Sequence, residues 1–287
     1  MQDLKDKVVL IDFWTYSCIN CMRTIPYLND WYQKYHEKGL VVIGVHSPEF
    51  EFEKNLSNVK NAVIKDGIQY PVALDNQFVT WRNYSNQYWP AHFLIDKNGN
   101  VVYAHFGEGD YDIAESNIRY LLGLAHIDTK VATSDTQSSQ LQSPETYLGY
   151  ARAEHFSSPE ILMKDVQSYY STLKNLPIND WALQGRWAIM PDKIVSGQEN
   201  ASIEMHFYAR KVFIVMGNTT NAAINVHLLL NGEKVVSQKG KDVINSSIKV
   251  DAHSIYSAIE LNEAGSNTLK IISTAPGLEV YTLTFGD

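Results

Sequence analysis

Cysteine is scarce in this 287-residue chain: there are two, Cys18 and Cys21, so neither can serve a structural disulfide elsewhere. Two cysteines alone do not make a structural zinc site, which takes four ligands, usually from two close pairs. The nine histidines are scattered, and none supplies the missing closely spaced pair. Positive charge is also in deficit, since 24 Lys and Arg against 32 Asp and Glu leave a net charge of -8. Binding to nucleic acid needs a basic patch to meet phosphates; none is visible, and no nucleic-acid partner is expected. No apolar run approaches the ~18 residues of a membrane-spanning helix. No signal peptide is expected within this sequence, because residues 1–7 are polar and lead straight into an apolar strand. So abrupt a start reads as that of a fragment cut from a longer protein.

What is present is ordinary for a soluble globular protein, at 45% hydrophobic and 20% charged residues, and the length suits two domains. The two cysteines form a Cys-x-x-Cys pair. Before it, Val8-Val9-Leu10-Ile11 and then Asp12-Phe13-Trp14 read as a buried parallel strand. After it, Met22 to His36 reads as a helix, with Leu28, Trp31, Tyr32 and Tyr35 at helical spacing. The cysteines therefore fall where a strand ends and a helix begins. There the first-turn N–H groups and the positive end of the helix dipole favour a thiolate at Cys18. The thiolate is the form that attacks a disulfide. Cys21, one turn on, is placed to attack the resulting mixed disulfide and release the substrate. Cys18 is the expected nucleophile and Cys21 the resolving thiol, with no cofactor beyond their own redox-active disulfide.

The run Val9-Leu10-Ile11-Asp12-Phe13-Trp14 ahead of Cys18-x-x-Cys21, with Pro26 after it, resembles thioredoxin. The resemblance implies that Asp12 is a buried acid that takes the proton of Cys21; a solvated strand-end carboxylate is the alternative. It implies too that Pro26 kinks the helix. Ile19-Asn20 departs from the Gly-Pro of thioredoxin, and neither residue adds a cation near the thiolate. Further along, residues 39–46 read as a strand, with Gly39 capping the helix before it. Helices are expected over 52–65, 78–84 and 112–122, a short apolar segment at 70–74, and a hairpin of 91–96 with 101–106. The expected architecture is a thioredoxin-like α/β domain over residues 1–126.

Tyr88-Trp89-Pro90-Ala91-His92-Phe93-Leu94-Ile95-Asp96 resembles the segment of thioredoxin-like reductases where a cis-proline faces the cysteines. That implies a cis Trp89–Pro90 bond, with Pro90 at the site and the Trp89 backbone pairing with an extended substrate. The Trp89 ring reads equally as a groove wall or as core; Trp14, at the strand end, is a further substrate-binding candidate. The extracytoplasmic thioredoxin-like branch often carries an acid after the second strand. Glu49 is the choice for it, with Glu51 and Glu53 competing.

Residues 127–145, rich in Ser, Thr, Gln and Asp, read as a linker. Residues 146–287 then change to short alternating strands, among them 201–209, 211–216, 224–230, 247–250, 255–259, 268–272 and 278–285. Asn231-Gly232 is a tight hairpin signal. An all-β sandwich, jelly-roll-like and similar to carbohydrate-binding modules, is expected. A glycan partner would use Tyr147, Tyr150, Trp181, Trp187 or Tyr208, unless those rings are packed inside.

Together, Trp14-Thr15-Tyr16-Ser17-Cys18-Ile19-Asn20-Cys21-Met22-Arg23, Trp89-Pro90-Ala91-His92 and Ser143-Pro144-Glu145-Thr146-Tyr147-Leu148-Gly149-Tyr150-Ala151 resemble the extracytoplasmic part of the DipZ family of thiol-disulfide carriers. The resemblance implies a membrane domain ahead of this region that feeds electrons to the cysteines, and protein disulfides as substrates. It implies a periplasmic or cell-envelope location. A peroxiredoxin-like peroxidase is a rival reading, because Thr15 stands three residues before Cys18 as peroxidases require. A glycan- or partner-binding module with a secondary redox role is another.

Overall fold

The computed structural model describes residues 4–124, 142–220 and 222–286. It falls into two compact units, and the division between them lies within the intervening stretch 125–141. Most of the expected linker is therefore outside the described residues. Its last residues belong to the second unit, where the Ser143 N–H donates to the Tyr208 carbonyl at 2.8 Å.

The first unit runs β1 (Val8–Trp14), α1 (Ile19–Tyr35), β2 (Leu40–His46), α2 (Leu56–Lys65), β3 (Val72–Leu74), α3 (Val79–Asn83), β4 (Ala91–Ile95), β5 (Val101–Phe106), α4 (Tyr111–Leu121). Its five strands lie in the order β3-β2-β1-β4-β5. The first three are parallel; β4 runs antiparallel to β1, and β5 runs antiparallel to β4. Strand side chains alternate between faces. Val8 and Leu10 of β1 pack with Leu28 and Trp31 of α1 and Ile118 of α4. Val9, Ile11 and Phe13 pack on the other face against Trp81 and Tyr84 around α3. Helices thus cover both sides of the sheet, which is why β1 is buried along its whole length and reads as an unbroken apolar run. The cysteines follow its C-terminal end.

Helix α1 starts three residues earlier than expected, at Ile19, and carries Pro26 inside it. The expected helix over 52–65 is broken. A 3-10 turn over Glu51–Lys54 comes first, and Asn55 then caps α2 by accepting from the Ser57 and Asn58 N–H groups. Gly39, at φ +103°, closes the turn before β2 as the sequence suggests. Gly44 of β2 lies beside Asp12. A Cβ there would come within 2.9 Å of Trp14 Nε1 and 3.1 Å of a Tyr70 ring carbon, so those rings close over the strand only because it is glycine.

The second unit contains β6 (Thr146–Tyr147), β7 (Gln167–Tyr170), β8 (Trp181–Ile189), β9 (Ile194–Ser196), β10 (Ser202–Asn218), β11 (Ile224–Leu230), β12 (Glu233–Lys234), β13 (Ser247–Val250), β14 (Ser254–Ser273) and β15 (Leu278–Gly286). The strands expected at 201–209 and 211–216 are one 17-residue strand, β10. Those at 255–259 and 268–272 are halves of the 20-residue β14. The break coincides with an irregularity between Ala209 and Lys211, where two steps along β10 are matched by five along β14 and the pairing register is reset. The first part of β10 pairs with β8, and its second part pairs with β15. The long strands so carry two sets of neighbours around a single core that includes Leu183, Ile203, Phe207, Leu228 and Ile271. This is a jelly-roll-like antiparallel β unit. Trp181 and Trp187 are fully buried in that core, which removes both from the expected sugar platform. The Tyr147 ring is covered by the Arg152 guanidinium at 3.7 Å.

Candidate functional site

Both cysteines are free thiols, and they differ in exposure: Cys18 is half-buried and Cys21 is buried. Cys18 is the N-cap of α1, with an extended backbone at φ -90° and ψ 115°. In that position its side chain points back at the first turn, and Sγ accepts the Cys21 N–H at 3.3 Å. The sulfur therefore lies at the N-terminal end of α1, against the first-turn N–H of Cys21. Cys21 faces inward and packs with Trp14, Tyr16, Ile25, Val59 and Ala62. Burial, then its contact with Cys18 and the charges of Cys18 and Asp12, push its thiol well above the usual range. It stays protonated until something takes the proton.

Asp12 is 1% exposed, so the solvated strand-end alternative is set aside. Its Oδ1 lies 3.3 Å from Nε2 of His92, the residue opposite it on β4. The Trp89–Pro90 bond is cis, and buried Pro90 leads directly into β4. Trp89 is half-buried against the Cys21 cluster; its Nε1–H donates to the Ser47 carbonyl at 3.0 Å, and its ring centroid is 4.3 Å from that of Trp81. The ring is a fixed side wall, part core and part surface.

Trp14 is not a substrate contact. It is 0% exposed, and its ring stands edge-on to His46 at 5.1 Å. The position of Glu49 also needs correcting. The buried acid after β2 is Glu53, and the Glu49 and Phe50 N–H groups donate to its Oε2 at 2.5 and 2.9 Å. Its Oε1 accepts the Ser17 hydroxyl at 2.6 Å and the Ser17 N–H at 3.3 Å. Glu53 thus ties the residue before Cys18 to the loop after β2. Burial pushes its carboxyl up to about 7, against the hydrogen bonds from Ser17 and Phe50 that favour the charged form. The 3-10 turn is what points it inward; alternating glutamates in a polar stretch give no sign of that. His46 is the other residue unforeseen in the sequence. Burial holds it neutral, down at about 4, with Nε2 3.4 Å from the Thr15 hydroxyl and its ring stacked on Tyr16.

Two family models match the chain. Redoxin matches residues 1–122, and a thioredoxin-like C-terminal domain matches residues 143–286. DipZ of Mycobacterium bovis is 37% identical over 293 aligned positions, which take in 100% of this chain and 40% of that protein. DipZ of Mycobacterium tuberculosis matches equally well. The chain therefore spans 40% of the length of these relatives. The thiol-disulfide oxidoreductase ResA of Bacillus cereus is 39% identical over 108 residues, covering 38% of this chain and 60% of its own. Among solved structures, a putative thiol:disulfide interchange protein DsbE from Chlorobium tepidum shares 30% identity at a TM-score of 0.40, covering 42% of this chain and 84% of that one.

Proposed function

This chain belongs to the DipZ family, within the thioredoxin-like thiol-disulfide oxidoreductases, and we propose that it reduces disulfides of other proteins outside the cytoplasm. The observation that carries the reading is the asymmetry of the pair: a half-exposed sulfur on a helix N-terminus, and a buried one behind it beside a buried acid. The Cys18 thiolate attacks one sulfur of the substrate disulfide, and the other sulfur leaves as a thiolate that takes a proton from water. Cys21 then loses its proton to Asp12 and attacks Cys18 Sγ. The Cys18–Cys21 bond forms, the bond to substrate breaks, and the second substrate thiolate departs. A membrane-borne dithiol in the parent protein returns two electrons to the pair. Pro90 and the Trp89 backbone, at the start of β4, present the edge on which an extended substrate segment lies.

The peroxidase reading asks for Thr15 and a nearby arginine to hold a peroxide. Thr15 is fully buried and faces His46, and the Arg23 guanidinium is paired with Glu108 at 3.0 Å. In the second domain two of the five candidate rings, Trp181 and Trp187, are core, so a glycan would have to use Tyr147, Tyr150 or Tyr208. The test is turnover of the whole chain, fed by dithiothreitol, with insulin disulfides and with hydrogen peroxide in parallel. Insulin reduction well above the dithiothreitol background, with no peroxide consumed, is expected. Peroxide turnover with insulin untouched would replace the reductase by the peroxidase.

A further inference from the structure

Asp12 is not alone behind the cysteines. It pairs in register with His92 across β1 and β4, and His92 pairs in register with His105 across β4 and β5. Partners in register project to the same face of a sheet, so the three side chains form one row on the side that α1 covers. The Asp12 and His92 side chains are 2% and 1% exposed and face each other at 3.3 Å. Neither Asp12 Oδ1 nor His92 Nε2 has an aligned hydrogen-bond partner among the described residues. A buried carboxylate and imidazole whose facing atoms lack an aligned partner are costly unless they share charge or a proton. The cost is one that a purely structural position avoids with an apolar pair. The His105 ring lies nearly parallel to that of His92, with centroids 6.1 Å apart. Its Nδ1 is 3.6 Å from Oδ2 of Asp110, which is 44% exposed. The row therefore extends from behind the resolving thiol to the surface.

We propose that His92 is the proton-handling partner of Asp12: it keeps the buried carboxylate ready as a base and takes from it the proton that Cys21 releases. This rests on the dithiol cycle proposed above. In the resolving step the Cys21 proton goes to Asp12, the Cys21 sulfur bonds to Cys18, and the electron pair of the broken bond leaves on the substrate sulfur. The proton then moves from Asp12 Oδ1 to His92 Nε2, which restores the carboxylate. No electron passes through the histidine. The other ionisable groups on the surrounding elements include Cys21 and the Arg23–Glu108 pair from α1 and the loop after β5, His105 with Asp110, Tyr103 of β5, Tyr111 of α4 and Tyr70 before β3. Burial, then the charges of Asp12 and Cys21, push Tyr70 well above the usual phenol range, so it stays protonated and offers no competing base.

The reduced 287-residue chain, mixed by stopped flow with excess dithiobis(nitrobenzoate), releases coloured thiol in two phases. The first is attack by Cys18, and the second is resolution by Cys21. His92→Gln, which can hydrogen-bond and cannot take the proton, is expected to slow the second phase about tenfold near neutral pH and to move its pH profile upward. In an Asp12→Asn background the same change is expected to add nothing. An unchanged second-phase profile overturns the proposal, as does an equal tenfold loss in the Asp12→Asn background. If the glutamine variant does not fold, His92→Asn in the same two backgrounds separates these outcomes. A wild type that shows no second phase would instead sink the dithiol cycle itself.

Discussion

Cys21→Ser is expected to stop turnover with substrate covalently held on Cys18. The serine keeps the size of the buried side chain and the helix start, so Cys18 still attacks. What disappears is the second nucleophile, held one helical turn away. Well-oriented intramolecular attack corresponds to an effective concentration of about 10⁵ M or more, which free thiol at millimolar concentration cannot replace. Steady-state reduction should fall at least about 10³-fold by that measure. A mixed disulfide should accumulate, visible by non-reducing electrophoresis and mass spectrometry. Cys18→Ser should be equally inactive and should trap nothing. Active Cys21→Ser protein without any adduct would reverse or remove the roles given to the two sulfurs.

Glu53→Gln is expected to be the most destabilising conservative change near the site. The carboxylate accepts from Ser17, Glu49 and Phe50 with both oxygens. An amide offers one oxygen and turns an NH2 group toward donors, so at least one buried N–H or hydroxyl loses its acceptor. The cost is about 3 kcal/mol, or roughly 10 °C in the first domain's melting temperature. The wild-type carboxyl adds a pH dependence of definite sign. Its value is raised in the folded state, from 4.5 to about 7, so the folded state holds the proton more tightly. Its contribution is fully present below about 4.5 and is lost as pH rises to about 7, a change of about 3 kcal/mol. Urea titrations at several pH values should show that slope in the wild type and its absence in Glu53→Gln. A variant as stable as wild type, with the slope retained, would mean that Glu53 does not hold the loop.

The features that can be read from the sequence are those that a few neighbouring residues decide. The Cys18–Cys21 spacing, the apolar run of β1 and Gly39 each depend on local chemistry alone. Asn231-Gly232 is another, with both residues at positive φ in the turn joining β11 to β12. What stays hidden depends on which strands pair and which way a turn faces. His92 gains its meaning only from standing opposite Asp12. Glu53 is indistinguishable from Glu49 and Glu51 until a 3-10 turn directs one of the three inward. Strand β8 shows neither clean alternation nor a continuous apolar run, because its ends are buried while Gln184, Gly185 and Arg186 in its middle are not. Trp14 reads as a groove residue because it is close to the cysteines in sequence; the closed packing around Gly44 puts it underneath them.

The central claim is that the pair works as a reductant, and its reduction potential tests this most directly. Strong oxidants of this fold owe their potential to a stabilised reduced form. Here Ile19-Asn20 contributes no cation, and Cys21 is held protonated by burial. Equilibration of the full chain against glutathione should therefore give a value near thioredoxin's, about -270 mV. A value near about -120 mV would mark an oxidant and contradict the direction of electron flow proposed for Cys18 and Cys21.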